Sequence, residues 1–390
     1  MSHFTETTHV GFATRLKNAI KGVGLGISLI GIAVYFLFWN EGNSVRTARS
    51  LAEGSELVVP LDSSALDPAH EGDLVHINGP LNLAMPLVDT ALGVAANTQT
   101  VRLERVVEQF AWIEEKRTKT ETGFGGGQEK TTEYTYRMDW TDSPASGAEF
   151  RISEGHMTPP LPIRPRVIRQ EEGKIGAFSV TDEISDLGGA LPMLLTADQA
   201  RALDLALSLE RPARLVAGQV VFSDSVAAPQ LGDLRISYLT SDIDEASVVG
   251  VQRGSGLVPY TAQNGRKIYL VEEGLKSAEE MFRTAAASNK IKTWLLRIAL
   301  MVLLFLGFKA LFSLIDVAAS ILPFLGWVTS SVTSLISLAL TLVVGGGTMA
   351  VAWLYFRPVL SLAIFGIALA GATIFAHVAR RSAQNTSDDI

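Results

Sequence analysis

The feature that most constrains this chain is where its charges are missing. No charged residue interrupts Val23 to Trp39, and none interrupts the forty positions from Val317 to Phe356. The first run alone makes about 25 Å of helix, just enough to cross a hydrocarbon core. A further apolar stretch, Trp294 to Ile315, carries only Arg297 near its start and Lys309 near its end, both long enough to snorkel toward headgroups. The apolar share of 47% is too high for a disordered chain, and the lack of cysteine excludes disulfides, thiolate metal sites and a cysteine nucleophile. The expected fold is therefore a multi-pass α-helical membrane protein with four transmembrane helices and a large β-rich α+β extramembrane domain.

The boundaries follow from charge and breakers. Residues 1–22 form the N-terminus, placed in the cytoplasm because Arg15, Lys17 and Lys21 face only Glu6. Residues 23–39 are the first span; the run ends in Phe38-Trp39-Asn40-Glu41, without the small-residue edge of a cleaved signal peptide. An extracytoplasmic domain covers 40–292 and the second span 293–316. Pro323 and Thr329-Ser330-Ser331 predict a short interfacial or re-entrant piece over 317–334, followed by a third span over 335–356. Arg357-Pro358 makes a turn into a fourth span over 358–378, closed by Arg380 and Arg381, with a cytoplasmic tail over 379–390.

Between Glu41 and Lys292 lie 36 of the 40 acidic and 25 of the 33 basic residues, a net charge of −11. That balance opposes nucleic acid, which needs a basic footprint. Tyr134, Tyr136, Met138 and Trp140 alternate with polar residues, and Val101 to Ile113 is rich in β-formers, so the two predict a long hairpin joined through Gly123 to Gly127. Gly-Asp-Leu occurs before an alternating strand at both Gly72 and Gly232, an echo shared by related units and by chance tripeptides alike. Thr196 with Gln199 and Ser277 with Glu280 read as capping boxes, the second opening a helix that runs on toward Trp294.

Catalytic patterns are missing. The histidines His3, His9, His70, His76, His156 and His377 form no zinc-ligand spacing, and no nucleophile elbow, Walker loop or dinucleotide fingerprint occurs. The glycine loop after Thr122 lacks the Lys-Ser/Thr pair and following helix of a phosphate cradle. The expectation is no enzyme, no cofactor and no metal. Within the spans, Gly22 with Gly26 and Gly366 with Ala370 let helices approach closely, in one chain or between copies. Trp39, Asn40, Glu41, Trp294 and Arg357 belong at the membrane interface. Lys309 and Asp316, seven apart on one helix face, are available for each other, for lipid phosphate or for an ion.

Phe38-Trp39-Asn40-Glu41-Gly42, Glu71 to His76 (EGDLVH), Gly79-Pro80-Leu81, Gly232-Asp233-Leu234-Arg235, Lys292-Thr293-Trp294 and Trp353 to Pro358 (WLYFRP) together resemble the LUMA family, transmembrane protein 43. Order and spacing match across nearly the whole chain. Asn43 stands where the family pattern has a basic residue, and Gly345-Gly346-Gly347 loosens a leucine-rich span. The resemblance implies a four-pass protein of the endoplasmic reticulum and inner nuclear membrane, a self-associating organiser with lamins and emerin as partners and no catalytic residues. Ala- and Gly-rich spans, and no Asn-x-Ser/Thr site between Glu41 and Lys292, point to a bacterial inner-membrane relative with a periplasmic domain, for which lamins do not apply. The function expected is a non-enzymatic membrane scaffold, a homo-oligomer whose partners are membrane lipids and other membrane proteins. A channel or transporter is the alternative, through Lys309, Asp316 and the glycine triplet; a lipid-modifying enzyme at Trp39-Asn40-Glu41 is a third.

Overall fold

The structure, a computed structural model, describes residues 2–359, 361 and 362. Most of the expected fourth span, with Gly366 and Ala370, and the tail lie outside the described residues. Four α-helices are described: α1 (Phe12–Leu57), α2 (Ala197–Leu207), α3 (Ala278–Ala319) and α4 (Pro323–Phe356). The chain divides into two units. One holds the residues up to Thr8 with Ser50–Lys119 and Lys130–Ala285; the other holds His9–Arg49, Thr120–Glu129 and the described chain from Ala286 on.

The first unit is built on two sheets. The larger runs Ser2–Val10, Gln128–Thr141, Thr100–Thr122, Leu234–Asp242, Gln219–Phe222, Ala213–Val216, with two short strands added. Its longest strand alternates buried Leu103, Arg105, Val107 and Gln109 with part-exposed Arg102, Glu104, Val106 and Glu108, the period of two that seats one face on a core. That core gathers Leu103, Val107, Phe222, Leu234, Ile236 and Tyr238 under Leu203 of α2. The second sheet has seven strands and pairs Leu74–Asn82 with Glu245–Arg253 over Val75, Ile77, Phe178, Val248 and Leu257. Leu234–Asp242 and Glu245–Arg253 are consecutive, so the chain steps from one sheet to the other at Ile243-Asp244. The hairpin expected around Gly123 to Gly127 is present, and so is the full capping box of α2. Gly72 and Gly232 both have positive φ, and each following aspartate N–H donates to the carbonyl three residues back. The Gly-Asp-Leu echo is thus one strand-entry turn used twice, once per sheet.

At two places the structure departs from the expected boundaries. Residues 1–22 were expected across the bilayer from 40–292, yet Ser2–Val10 is an edge strand on Gln128–Thr141. Phe4 lies 6.2 Å from Tyr134, and Arg151 makes a paired contact with Glu6 at 2.8 and 3.0 Å. Flanking charge biases the sidedness of a helix but carries no signal for strand pairing. Residues 317–334 were expected to be a separate interfacial piece. Instead α3 runs to Ala319 and α4 starts at Pro323, where a missing N–H costs nothing. Thr329, Ser330 and Ser331 lie inside α4, and the hydroxyls that follow them fold back into the helix: Ser334 donates to the Ser330 carbonyl at 2.6 Å, Ser337 to the Thr333 carbonyl at 2.7 Å and Thr341 to the Ser337 carbonyl at 2.7 Å.

Three helices among the described residues are long and apolar enough to cross a membrane: Phe12–Leu57, Ala278–Ala319 and Val328–Phe356. The second is continuous from its capping turn, where the Glu280 N–H donates to the Ser277 hydroxyl at 3.3 Å, through the expected span.

Candidate functional site

The site is the helix bundle of the second unit. Lipid offers no hydrophobic driving force for helix association, so packing and polar contacts must supply it. The α1–α3 crossing is made of glycine. A Cβ at Gly26 would lie 2.7 Å from the Gly307 carbonyl oxygen, and one at Gly307 would lie 2.8 Å from Ile30 Cγ1. Gly22 faces Ser313 one turn away. Below the crossing, Ala33, Leu37, Leu300, Leu304 and Phe308 form a dry cluster on which Leu340 and Val344 of α4 pack. Gly22 and Gly26 are therefore helix-packing residues within one chain. Gly366 and Ala370 lie outside the described residues.

At one end sits a buried ionic knot. Glu41, 1% exposed, accepts from Arg297 Nε at 2.6 Å, Arg297 Nη2 at 2.7 Å and Trp353 Nε1 at 2.8 Å. One carboxylate thus joins α1, α3 and α4. The guanidinium also stands over Trp294 at 4.6 Å and Trp353 at 5.9 Å. Beside it Asn40 Nδ2 donates to the Thr293 carbonyl at 3.2 Å, and Asn289 Nδ2 to the Ser44 carbonyl at 3.0 Å. Of the residues expected at the interface, Trp39 and Trp294 are exposed, whereas Asn40 and Glu41 are buried. Arg357 caps α4, its N–H on the Trp353 carbonyl. Arg297 was read as a snorkelling cation; it points inward because Glu41 waits there. Neither residue reveals the other in sequence, 256 positions apart.

A second knot lies toward the α3–α4 turn. Lys309 Nζ donates to Asp316 Oδ2 at 3.0 Å and to the Thr333 hydroxyl at 3.0 Å, while that hydroxyl donates to Asp316 Oδ1 at 2.8 Å. Of the uses the seven-residue spacing left open, the structure shows the two side chains bonded to each other, and Thr333 extends the pair to α4. At the same end, Arg15 donates to Ser320 Oγ at 2.9 Å and to the Gly126 carbonyl, and the Gly125 N–H donates to the Ile321 carbonyl at 2.9 Å. The glycine loop thus grips the start of α1 and the α3–α4 turn. Arg15 and Glu41 are about 39 Å apart along α1, so the two knots mark opposite ends of the bundle.

Several buried polar groups of the β-rich unit bond within it, while Gln109 Oε1, Thr158 Oγ1 and Gln252 Oε1 are buried without a hydrogen-bond partner. Arg105 pairs with Asp89 and donates to the Arg164 carbonyl, and Tyr238 donates to Asp89 at 2.7 Å. Burial, then that carboxylate, push the Tyr238 hydroxyl well above its ordinary range. His76 is buried against the Lys276 carbonyl at 2.9 Å, while His70 pairs with Asp73 at 3.0 Å. Among the described residues no group of three or more His, Asp or Glu could hold a metal ion.

Comparison with known proteins agrees with these landmarks. The family model for transmembrane protein 43 matches residues 109–358. The chain is similar to Homo sapiens transmembrane protein 43, 31% identical over 378 residues, covering 92% of this chain and 90% of that protein. Its Mus musculus counterpart is 31% identical over 94% of this chain and 92% of its own length, and the Drosophila melanogaster homolog is 28% identical over 89% and 92%. No solved structure matches.

Proposed function

The chain belongs to the transmembrane protein 43 family, and on that premise we propose that it is a non-enzymatic membrane scaffold that self-associates and gathers other membrane proteins. The observation that carries this reading is the division of small residues on α1. Gly22 and Gly26 are spent inside the protomer, but Gly24, Ser28 and Gly31 are exposed. Spacings of four and three put them on one helix face. A Cβ at Gly24 or Gly31 would meet nothing within 4 Å. Ser28 returns its hydroxyl to the Gly24 carbonyl at 3.1 Å, leaving the face smooth. Exposed Tyr35 and Phe36 continue it. A small-residue face of this kind lets a second helix approach closely enough for van der Waals contact.

In this reading residues 358–378 supply a fourth span and the acidic, β-rich domain recruits partners or senses the envelope. The absence of an Asn-x-Ser/Thr site in that domain favours a bacterial inner membrane. The test is co-purification of two differently tagged copies from one membrane. Wild type is expected to co-purify and Gly24→Leu/Gly31→Leu to lose it while keeping the thermal unfolding of the wild type. Full co-purification by the double variant overturns the interface, and none by wild type overturns self-association.

A further inference from the structure

Beyond the Glu41 knot the three long helices end in cations. Arg357 lies four residues past the layer of Glu41, Arg297 and Trp353, Lys292 five, Lys290 seven and Arg49 eight. At 1.5 Å per residue they share one slab, roughly 6 to 12 Å from that layer. The helices meet at this level. Asn289 Nδ2 donates to the Ser44 carbonyl at 3.0 Å, and Arg49 Nη2 donates to the Phe356 carbonyl at 2.9 Å, one residue from Arg357.

We propose that this collar binds the phosphate headgroups of anionic phospholipids. The first argument is charge. Across 41–49, 286–297 and 353–357 there are six basic residues and one acidic, and that one, Glu41, is spent on Arg297. The whole chain has 40 acidic residues against 33 basic, yet among the described residues none pairs with Arg49, Lys290, Lys292 or Arg357. Glu53, the next acid along α1, is taken by the Tyr260 hydroxyl and the Gln263 N–H.

The second argument is depth. Trp39, Trp294 and Tyr355 are exposed around the Glu41 layer, and such rings settle where acyl chains give way to headgroups. A slab about 6 Å deep, just outside them, has the thickness of one headgroup layer. The third is donor capacity. Lys290 and Lys292 are exposed and bond to no other group, and Arg49 spends one of its five N–H donors. Capping the last carbonyls of α4 accounts for Arg49 alone. Snorkelling asks each cation only to reach water, and does not require three helices to bring four of them into one layer without a carboxylate.

The full chain, in a Trp327→Phe background, is reconstituted in phosphatidylcholine vesicles with a rising share of dibrominated phosphatidylglycerol or, separately, dibrominated phosphatidylcholine. Bromine quenches tryptophan at short range. Trp39, Trp294 and Trp353 lie beside the collar, and the background substitution removes the tryptophan near the start of α4. At low salt, quenching is expected to favour phosphatidylglycerol roughly fivefold or more, the factor that one Lys or Arg supplies near an anionic surface. The preference should fade in about 1 M salt. Lys290→Gln/Lys292→Gln should bring it near parity with the thermal unfolding of the wild type, and Lys290→Arg/Lys292→Arg should keep it. Lys17→Gln/Lys21→Gln, at the other end of α1, should leave it unchanged. Equal quenching by both lipids in wild type overturns the proposal, and so does a preference that survives Lys290→Gln/Lys292→Gln/Arg357→Gln or disappears with Lys17→Gln/Lys21→Gln.

Discussion

Replacing Arg297 tests whether the Glu41 knot fastens the bundle. The carboxylate is 1% exposed and its two oxygens are met by three donors, two of them from the guanidinium. Arg297→Met removes the guanidinium that stands over Trp294 and leaves the buried Glu41 carboxylate with Trp353 Nε1 as its donor from α4. Breaking a buried pair on one side costs about 3–5 kcal/mol, whereas replacing both partners with apolar groups of similar volume is often neutral. Glu41→Leu/Arg297→Met is therefore expected to recover most of what Arg297→Met loses. The assay is reversible unfolding in mixed micelles, followed by tryptophan fluorescence and by reactivity of a cysteine placed at Leu304, with all variants in that background. A loss below about 1 kcal/mol for the single variant, or a double variant no more stable than the single, would refute the reasoning.

Three further outcomes are expected. Gly26→Leu drives a side chain into the Gly307 backbone, 2.7 Å from its first carbon, and should destabilise the protomer by roughly 1–3 kcal/mol, measured in the same unfolding assay. Thr5→Cys and Gly125→Cys should react with an impermeant maleimide from the same face of sealed vesicles, since Ser2–Val10 shares a sheet with the hairpin and the loop binds the start of α1; opposite faces would contradict the strand pairing. Burial holds His76 below the usual histidine range, outweighing its bond to the Lys276 carbonyl. The folded state therefore binds its proton less readily than the unfolded one, so stability is full above about pH 6.5 and falls as pH drops toward the folded value. His76→Gln should flatten that slope in pH-dependent unfolding.

Much of the fold was legible because burial leaves period in a sequence. Charge-free runs marked α1 and α4, an apolar run with two charges marked α3, alternation marked the hairpin, and Thr196 with Gln199 marked α2. What stayed hidden depends on partners distant in the chain. Glu41 reads as an interface carboxylate and Arg297 as a snorkelling cation until the α1–α3 crossing brings them together. Ser2–Val10 is short and polar, and only the exposed edge of Gln128–Thr141 makes it a strand. Thr329 to Ser331 resembled a break because hydroxyl-rich clusters suit loops, but they lie inside α4, where the neighbouring Ser334, Ser337 and Thr341 hydroxyls bond to the preceding turn. The glycines were recognised as packing residues, while their division into an inner pair and an outer face needed the helices in place.

The most direct measurement of the scaffold account is the mass of the intact particle, extracted into native lipid discs without detergent and corrected for lipid. The account expects an integral multiple, two or more, of the 41.9 kDa protomer, reduced to one copy by Gly24→Leu/Gly31→Leu. A wild-type particle holding a single copy at every membrane density would contradict it.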